Sequence, residues 1–69
     1  MINIKVNGEI KEIKENQSID LLLEFLGFNF DLKGLAIALN WEIVHRENWS
    51  STYLQNGDMV ELVKPVQGG

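Results

Sequence analysis

The chain has 69 residues, enough for one domain that buries only about 60% of its unfolded surface, which leaves no second domain to carry an active site. Its 45% apolar and 23% charged residues describe a folding globular domain rather than a disordered tail, and the lack of cysteine excludes disulfides, zinc–thiolate sites and iron–sulfur clusters. Ten acidic against six basic side chains give a net charge of −4, the wrong sign for nucleic-acid phosphates.

Ile2, Ile4 and Val6 alternate with Asn3 and Lys5, the pattern of a strand buried on one face. This opening has no apolar signal core, and no run approaches the roughly 18 apolar residues of a membrane span. A cytoplasmic protein with no membrane partner is expected. Asn7-Gly8 predicts a hairpin, because both central residues of a type I′ turn need φ > 0. The returning strand, over 9–14, carries Ile10 and Ile13, whose odd spacing predicts a bulge or an early end to pairing.

Ser18 is a good helix N-cap, and Asp20 in the first turn suits the helix dipole. Ile19, Leu22, Leu23 and Leu26 then recur at i, i+3, i+4 and i+7, lining one face of a helix that Gly27 ends. That helix is the expected lid of the core. Leu21 and Phe25 fall off the stripe and are expected at its margin or under the 28–34 loop with Phe30 and Leu32. The aromatics are read as core rather than as a ligand site.

Leu35-Ala36-Ile37-Ala38-Leu39 alternates large with small, so one face buries branched residues while the other shows only alanine and lets a partner's surface come close. A second hairpin runs through Asn40-Trp41-Glu42 into Ile43-Val44. Such a turn favours Gly after Asn40, and a bulky residue at φ > 0 costs about 1 kcal/mol or more. Either the turn differs from type I′ or Trp41 is held by packing; as an exposed residue it would suit an interface anchor. His45 to Tyr53 reads as a part-3₁₀ connection in which Trp49 plugs the sheet's edge. Asn56-Gly57-Asp58 then turns the chain into a last strand, with Val60 and Leu62 on one face and Glu61 and Val63 on the other.

The order β-β-α-β-β-β, with first and last strands as parallel central neighbours, fits an α+β roll of the β-grasp type, a mixed sheet covered by one helix. Residues 1–66 form this domain, and 67–69 form a flexible C-terminal tail.

No catalytic constellation stands in the body. His45 is the only histidine, so Cys–His pairs and multi-histidine metal sites are unavailable, and it is read as a solvated loop residue. Ser50 and Ser51 lack a third orienting group and an oxyanion hole. Asp58 and Glu61 read as solvated carboxylates, and Gly27, Gly34 and Gly57 form no nucleotide-binding motif.

The distinctive stretch is the last, Val63-Lys64-Pro65-Val66-Gln67-Gly68-Gly69. An α-carboxylate is a poor electrophile and enters group transfer only after activation as an acyl-phosphate or acyl-adenylate. Reaching a partner's buried ATP site requires a narrow arm, and two glycines in series are the thinnest available. Pro65 holds φ near about −65° and starts the arm extended. By itself a terminal diglycine favours a plain frayed end.

Gly34-Leu35-Ala36-Ile37-Ala38-Leu39-Asn40, Glu42-Ile43-Val44, Arg46, Trp49, Asn56-Gly57-Asp58, Val60-Glu61 and Val66-Gln67-Gly68-Gly69 together resemble the ThiS family, the sulfur carriers of thiamine biosynthesis, along the whole chain. The resemblance implies a ubiquitin-like β-grasp protein that is a protein cosubstrate, not an enzyme. The Gly69 carboxylate would be adenylated by an E1-like enzyme of the ThiF type using ATP and magnesium. Sulfur from a persulfide donor would displace AMP, and the Gly69 thiocarboxylate would pass sulfur to a thiazole synthase of the ThiG type. This chain would bind no cofactor itself.

The resemblance carries over Gly68 and Gly69 as the tail required for activation, and Ala38, Val63, Val66 and Gln67 as partner-binding surface. Trp41 stands where members commonly have Gly, and His45 where they have Pro, departures that bear on turn geometry and partner choice. Pro65-Val66 is also similar to the small subunit of molybdopterin synthase, which shares the fold and the thiocarboxylate. A ubiquitin-like modifier that joins Gly69 to lysines and a plain binding module are the remaining readings.

Overall fold

A computed structural model of the chain describes residues 1–27 and 34–63. The alternation at the start folds as expected: in β1 (Ile2–Val6), Ile4 and Val6 are buried while Asn3 and Lys5 face out. Asn7 and Gly8 both take positive φ (49° and 87°) and return the chain into β2 (Glu9–Ile13). The expected bulge or early end to pairing is absent, since the two strands pair in unbroken antiparallel register from Ile2↔Ile13 to Val6↔Glu9. The odd spacing of the isoleucines instead places them on opposite faces, with Ile13 in the core and Ile10 69% exposed.

The helix α1 (Ile19–Phe25) buries Ile19, Leu22 and Leu23, and half-buried Leu26 packs against the same core. Seven residues are too few for a helix to persist alone, so tertiary contacts hold it. Its N-terminus is tied to a distant segment: Ile19 N donates to Thr52 O (3.0 Å), Leu54 N to Gln17 O (2.8 Å), and Ser18 bridges to Tyr53. Ser18 occupies the N-cap position but makes no capping bond; its hydroxyl is hydrogen-bonded to the Asp20 carboxylate, which also accepts from Leu21 N. Gly27 ends the helix at φ 94°.

One expectation for this region needs correction. Phe25 is not core but 64% exposed, at the margin of the stripe beside Leu22 and Ile13, and Leu21, on the side away from the sheet, is also exposed. The expected loop positions Phe28, Phe30 and Leu32 lie outside the described residues.

Beyond the helix, β3 (Ala36–Leu39) buries Ile37 and turns Ala36 and Ala38 the other way. Both Asn40 (φ 50°) and Trp41 (φ 72°) are left-handed, as a type I′ turn requires, and Trp41 is 74% exposed. Neither explanation offered for Trp41 therefore holds. The turn is fixed instead by Asn40, whose backbone N and side-chain Oδ1 pair with Met59 O and N (2.8 and 2.9 Å) while Nδ2 reaches Asp58 (3.0 Å). After β4 (Glu42–Val44) comes a 3₁₀ helix, Arg46–Ser51. Within it Trp49 is buried and donates its indole N–H to Val44 O (2.9 Å), closing the sheet's edge as expected.

The last strand, β5 (Met59–Val63), runs parallel to β1 and antiparallel to β3, giving the order β2-β1-β5-β3-β4. Ile4, Val6, Ile13, Ile37 and Val60 of the sheet meet Ile19, Leu22 and Leu23 of the helix, with Trp49 and Leu54 closing the cluster. One helix thus packs on one face of a five-stranded mixed sheet, the ubiquitin-like β-grasp, and among the described residues no element covers the other face.

Candidate functional site

The last described strand lies in the middle of the sheet. Strand β5 has a neighbour on each side, and its last residue, Val63, still lies opposite Ala36 of β3. Pairing with β1 is shorter, confined to Lys5↔Met59 and Val6↔Val60. Asparagine side chains extend this ladder where the backbone turns away. Asn40 braces Met59 at one end of β5, and Asn7 braces Leu62 at the other, with Leu62 N donating to Asn7 Oδ1 (2.8 Å) and Asn7 Nδ2 to Leu62 O (3.3 Å). At the start of β1, Asn56 Oδ1 accepts from Asn3 N (2.9 Å).

The bare face is the surface beside that exit. Ala38 lies opposite Glu61 and Val63 opposite Ala36, so these two expected docking residues are diagonal neighbours on the face away from the helix. The registers add Ile10 and Lys5, then Met59, and Ile43 opposite Ala38. Among these, Ile10, Ile43 and Val63 are each at least 60% exposed, and Trp41 stands at the neighbouring turn.

Two shallow hollows flank Lys5 and Met59. One, of about 200 Å³, is walled by Trp41, Gly8 and Glu61; the other, of about 270 Å³, by Ile10, Asn3 and Gly57. An apolar surface with small residues at its centre suits close contact with another protein. Val66, Gln67, Gly68 and Gly69, and the boundary between residues 66 and 67, lie outside the described residues.

Nothing in the described body assembles for catalysis. His45 is exposed, and Ser51 Oγ donates to Asn48 O (3.2 Å), a local bond that ends the 3₁₀ helix. Arg46 lies over the Trp49 ring, 5.6 Å from its centroid, covering the buried indole. Among the described residues there is no cluster of three or more metal-ligating side chains, and no helix is long and apolar enough to cross a membrane.

Strand alternation anticipated the face on which Ala38 and Val63 lie, while their docking role was an expectation from the resemblance alone. Ile10, Ile43, Lys5 and Met59 were missed because only the strand order brings them onto the same face. The asparagine braces were missed too, since Asn7-Gly8 and Asn56-Gly57 signalled turns and nothing more.

Comparison with known proteins places this geometry among relatives. The ThiS family model matches residues 4–69. The sulfur carrier protein ThiS of Escherichia coli K12 is 32% identical over 68 residues, spanning 99% of this chain and 100% of that protein. A crystal structure of the thiamine biosynthesis protein ThiS from Geobacter metallireducens superposes with a TM-score of 0.84 at 28% identity, covering 99% of this chain and 100% of the other. A thiazole synthase from Paramagnetospirillum magneticum is 28% identical over 68 residues, which are 99% of this chain but 20% of that larger protein.

Proposed function

The chain belongs to the ThiS family, and from that premise we propose that it is a sulfur carrier for thiazole formation in thiamine biosynthesis. Gly69 is the reactive residue. Its carboxylate attacks the α-phosphate of ATP, held with magnesium by an E1-like enzyme of the ThiF type, and releases pyrophosphate to form an acyl-adenylate. A persulfide sulfur then attacks the acyl carbon and expels AMP. A thiol cleaves the resulting acyl disulfide, leaving the thiocarboxylate on Gly69 as the form that hands sulfur to thiazole synthase.

The chain itself acts as cosubstrate. The ATP and magnesium belong to the activating enzyme, and the reactions take place in the cytoplasm. Gly68 and Gly69 give the tail the slimness to enter a closed nucleotide site, while Ala38 and Val63, with Val66 and Gln67 of the tail, meet the partners.

The observation that carries this reading is the position of β5. The strand leading to the diglycine is bounded by β1 and β3 and ends beside a bare apolar face. A tail rooted there has a fixed origin and a docking surface next to it, whereas a frayed end would need neither. The segment of thiazole synthase that resembles this chain supports that enzyme as the acceptor.

The test is reconstitution with a ThiF-type enzyme, ATP, magnesium and a persulfide source, followed by intact mass. The reading expects one oxygen replaced by sulfur at Gly69, and loss of that sulfur on adding thiazole synthase with its substrates. A mass unchanged under conditions that convert Escherichia coli ThiS would refute it.

A further inference from the structure

We propose that Asn7 is a positioning residue for the chemistry of the tail, through a side-chain brace on the strand from which the tail departs. The inference rests on the sulfur-carrier reading above.

Strand β1 reaches only as far as Val60, because Asn7 turns left-handed (φ 49°) after its backbone N donates to Val60 O (2.9 Å). Strand β5 continues to Val63. On this side of Leu62 the Asn7 amide takes the place of the missing peptide unit, accepting from Leu62 N at 2.8 Å and donating to Leu62 O at 3.3 Å. A primary amide of this length presents its donor and its acceptor on two separate atoms, as a peptide unit does, and so meets both backbone groups of one residue. Aspartate keeps the acceptor, loses the donor and sets a second carboxylate oxygen toward the Leu62 carbonyl. Glycine keeps the turn and removes the brace.

The brace spans 55 residues of sequence and sits on the surface, so water competes for it and its loss leaves the buried core intact. Its consequence is local: the end of β5 is held on both sides rather than by β3 alone. A tail with a fixed root spends more of its time aligned with the adenylating site, so the brace raises the rate of the bound step without altering the docking face.

The test uses the full chain as wild type, Asn7→Gly, Asn7→Asp and, as a control, Asn16→Gly, since Asn16 is also left-handed (φ 61°) but lies beyond β2. Amide exchange by NMR and pyrophosphate release with the ThiF-type enzyme are measured on each. Both Asn7 variants are expected to speed exchange at Leu62 by about tenfold while Ile4 and Ile37 keep wild-type rates. They are expected to lower kcat by about threefold or more with little change in KM, and the control to match wild type.

Unchanged kcat in both Asn7 variants, or faster exchange spread evenly over the whole sheet, would overturn the positioning role. Absence of pyrophosphate release from the wild-type chain would instead overturn the sulfur-carrier reading, and this proposal with it.

Discussion

Val6 and Val60 lie side by side in parallel register, both buried, and join the first strand to the last at the centre of the sheet. Strand β5 therefore comes after every other described element yet occupies the middle of the sheet. Val63, the last described residue, is thus joined to the centre of the sheet rather than to its edge.

The first prediction concerns that anchor. Ile37 is completely buried on β3 and lies opposite Leu62 of β5. Ile37→Ala removes core volume that its neighbours cannot refill and should cost about 2–5 kcal/mol. In a domain this small that is a large share of the total stability. Urea denaturation should show a lowered midpoint whose shift, multiplied by an unchanged m-value, equals that loss.

A second prediction runs the other way. Trp41 is left-handed and 74% exposed, so its side chain adds strain with little burial to offset it. Trp41→Gly gives the turn the Asn-Gly pair that type I′ favours and should stabilise the fold by about 1 kcal/mol. Thermal unfolding should rise by roughly 4–8 °C for each kcal/mol gained in a domain of this size. A lower melting temperature would mean that the indole packs on the bare face more firmly than its exposure indicates.

The third prediction separates docking from positioning. Ala38 sits on the bare face opposite Glu61, where a long side chain meets no part of the core. Ala38→Arg should leave stability within about 0.5 kcal/mol, as surface changes do. Under the sulfur-carrier reading it should raise KM for the activating enzyme about tenfold, or about 1.4 kcal/mol of docking energy. Steady-state adenylation assays should find that change in KM with kcat nearly intact, the opposite of the split expected at Asn7.

Much of this architecture was legible in the sequence because it rests on local periodicity. The alternation of Ile2, Ile4 and Val6 fixed one strand, the spacing of Ile19, Leu22, Leu23 and Leu26 fixed the helix face, and Ala36 and Ala38 marked the bare side of β3. What failed depended on partners far away in the chain. Ile10 broke the alternation of its own strand and suggested a bulge, yet regular pairing with Lys5 simply puts it on the outer face. Phe25 was expected to be core because aromatics usually are, but a seven-residue helix has only one side against the sheet. Trp41 was weighed by its turn and by its own packing, whereas the strand opposite, through Asn40 and Met59, holds the turn. Alternation gave the outward orientation of Ala38 and Val63, while the face they share with Ile10 and Ile43 emerges only once five strands are placed in order.

The central claim is that the Gly69 carboxylate is the group that reacts, and semisynthesis tests it most directly. A chain identical except for a carboxamide at Gly69 should fold with the same melting temperature, release no pyrophosphate with the activating enzyme, and gain no sulfur by intact mass. Sulfur transfer to thiazole synthase from the amidated chain at the rate of the free acid would contradict the account.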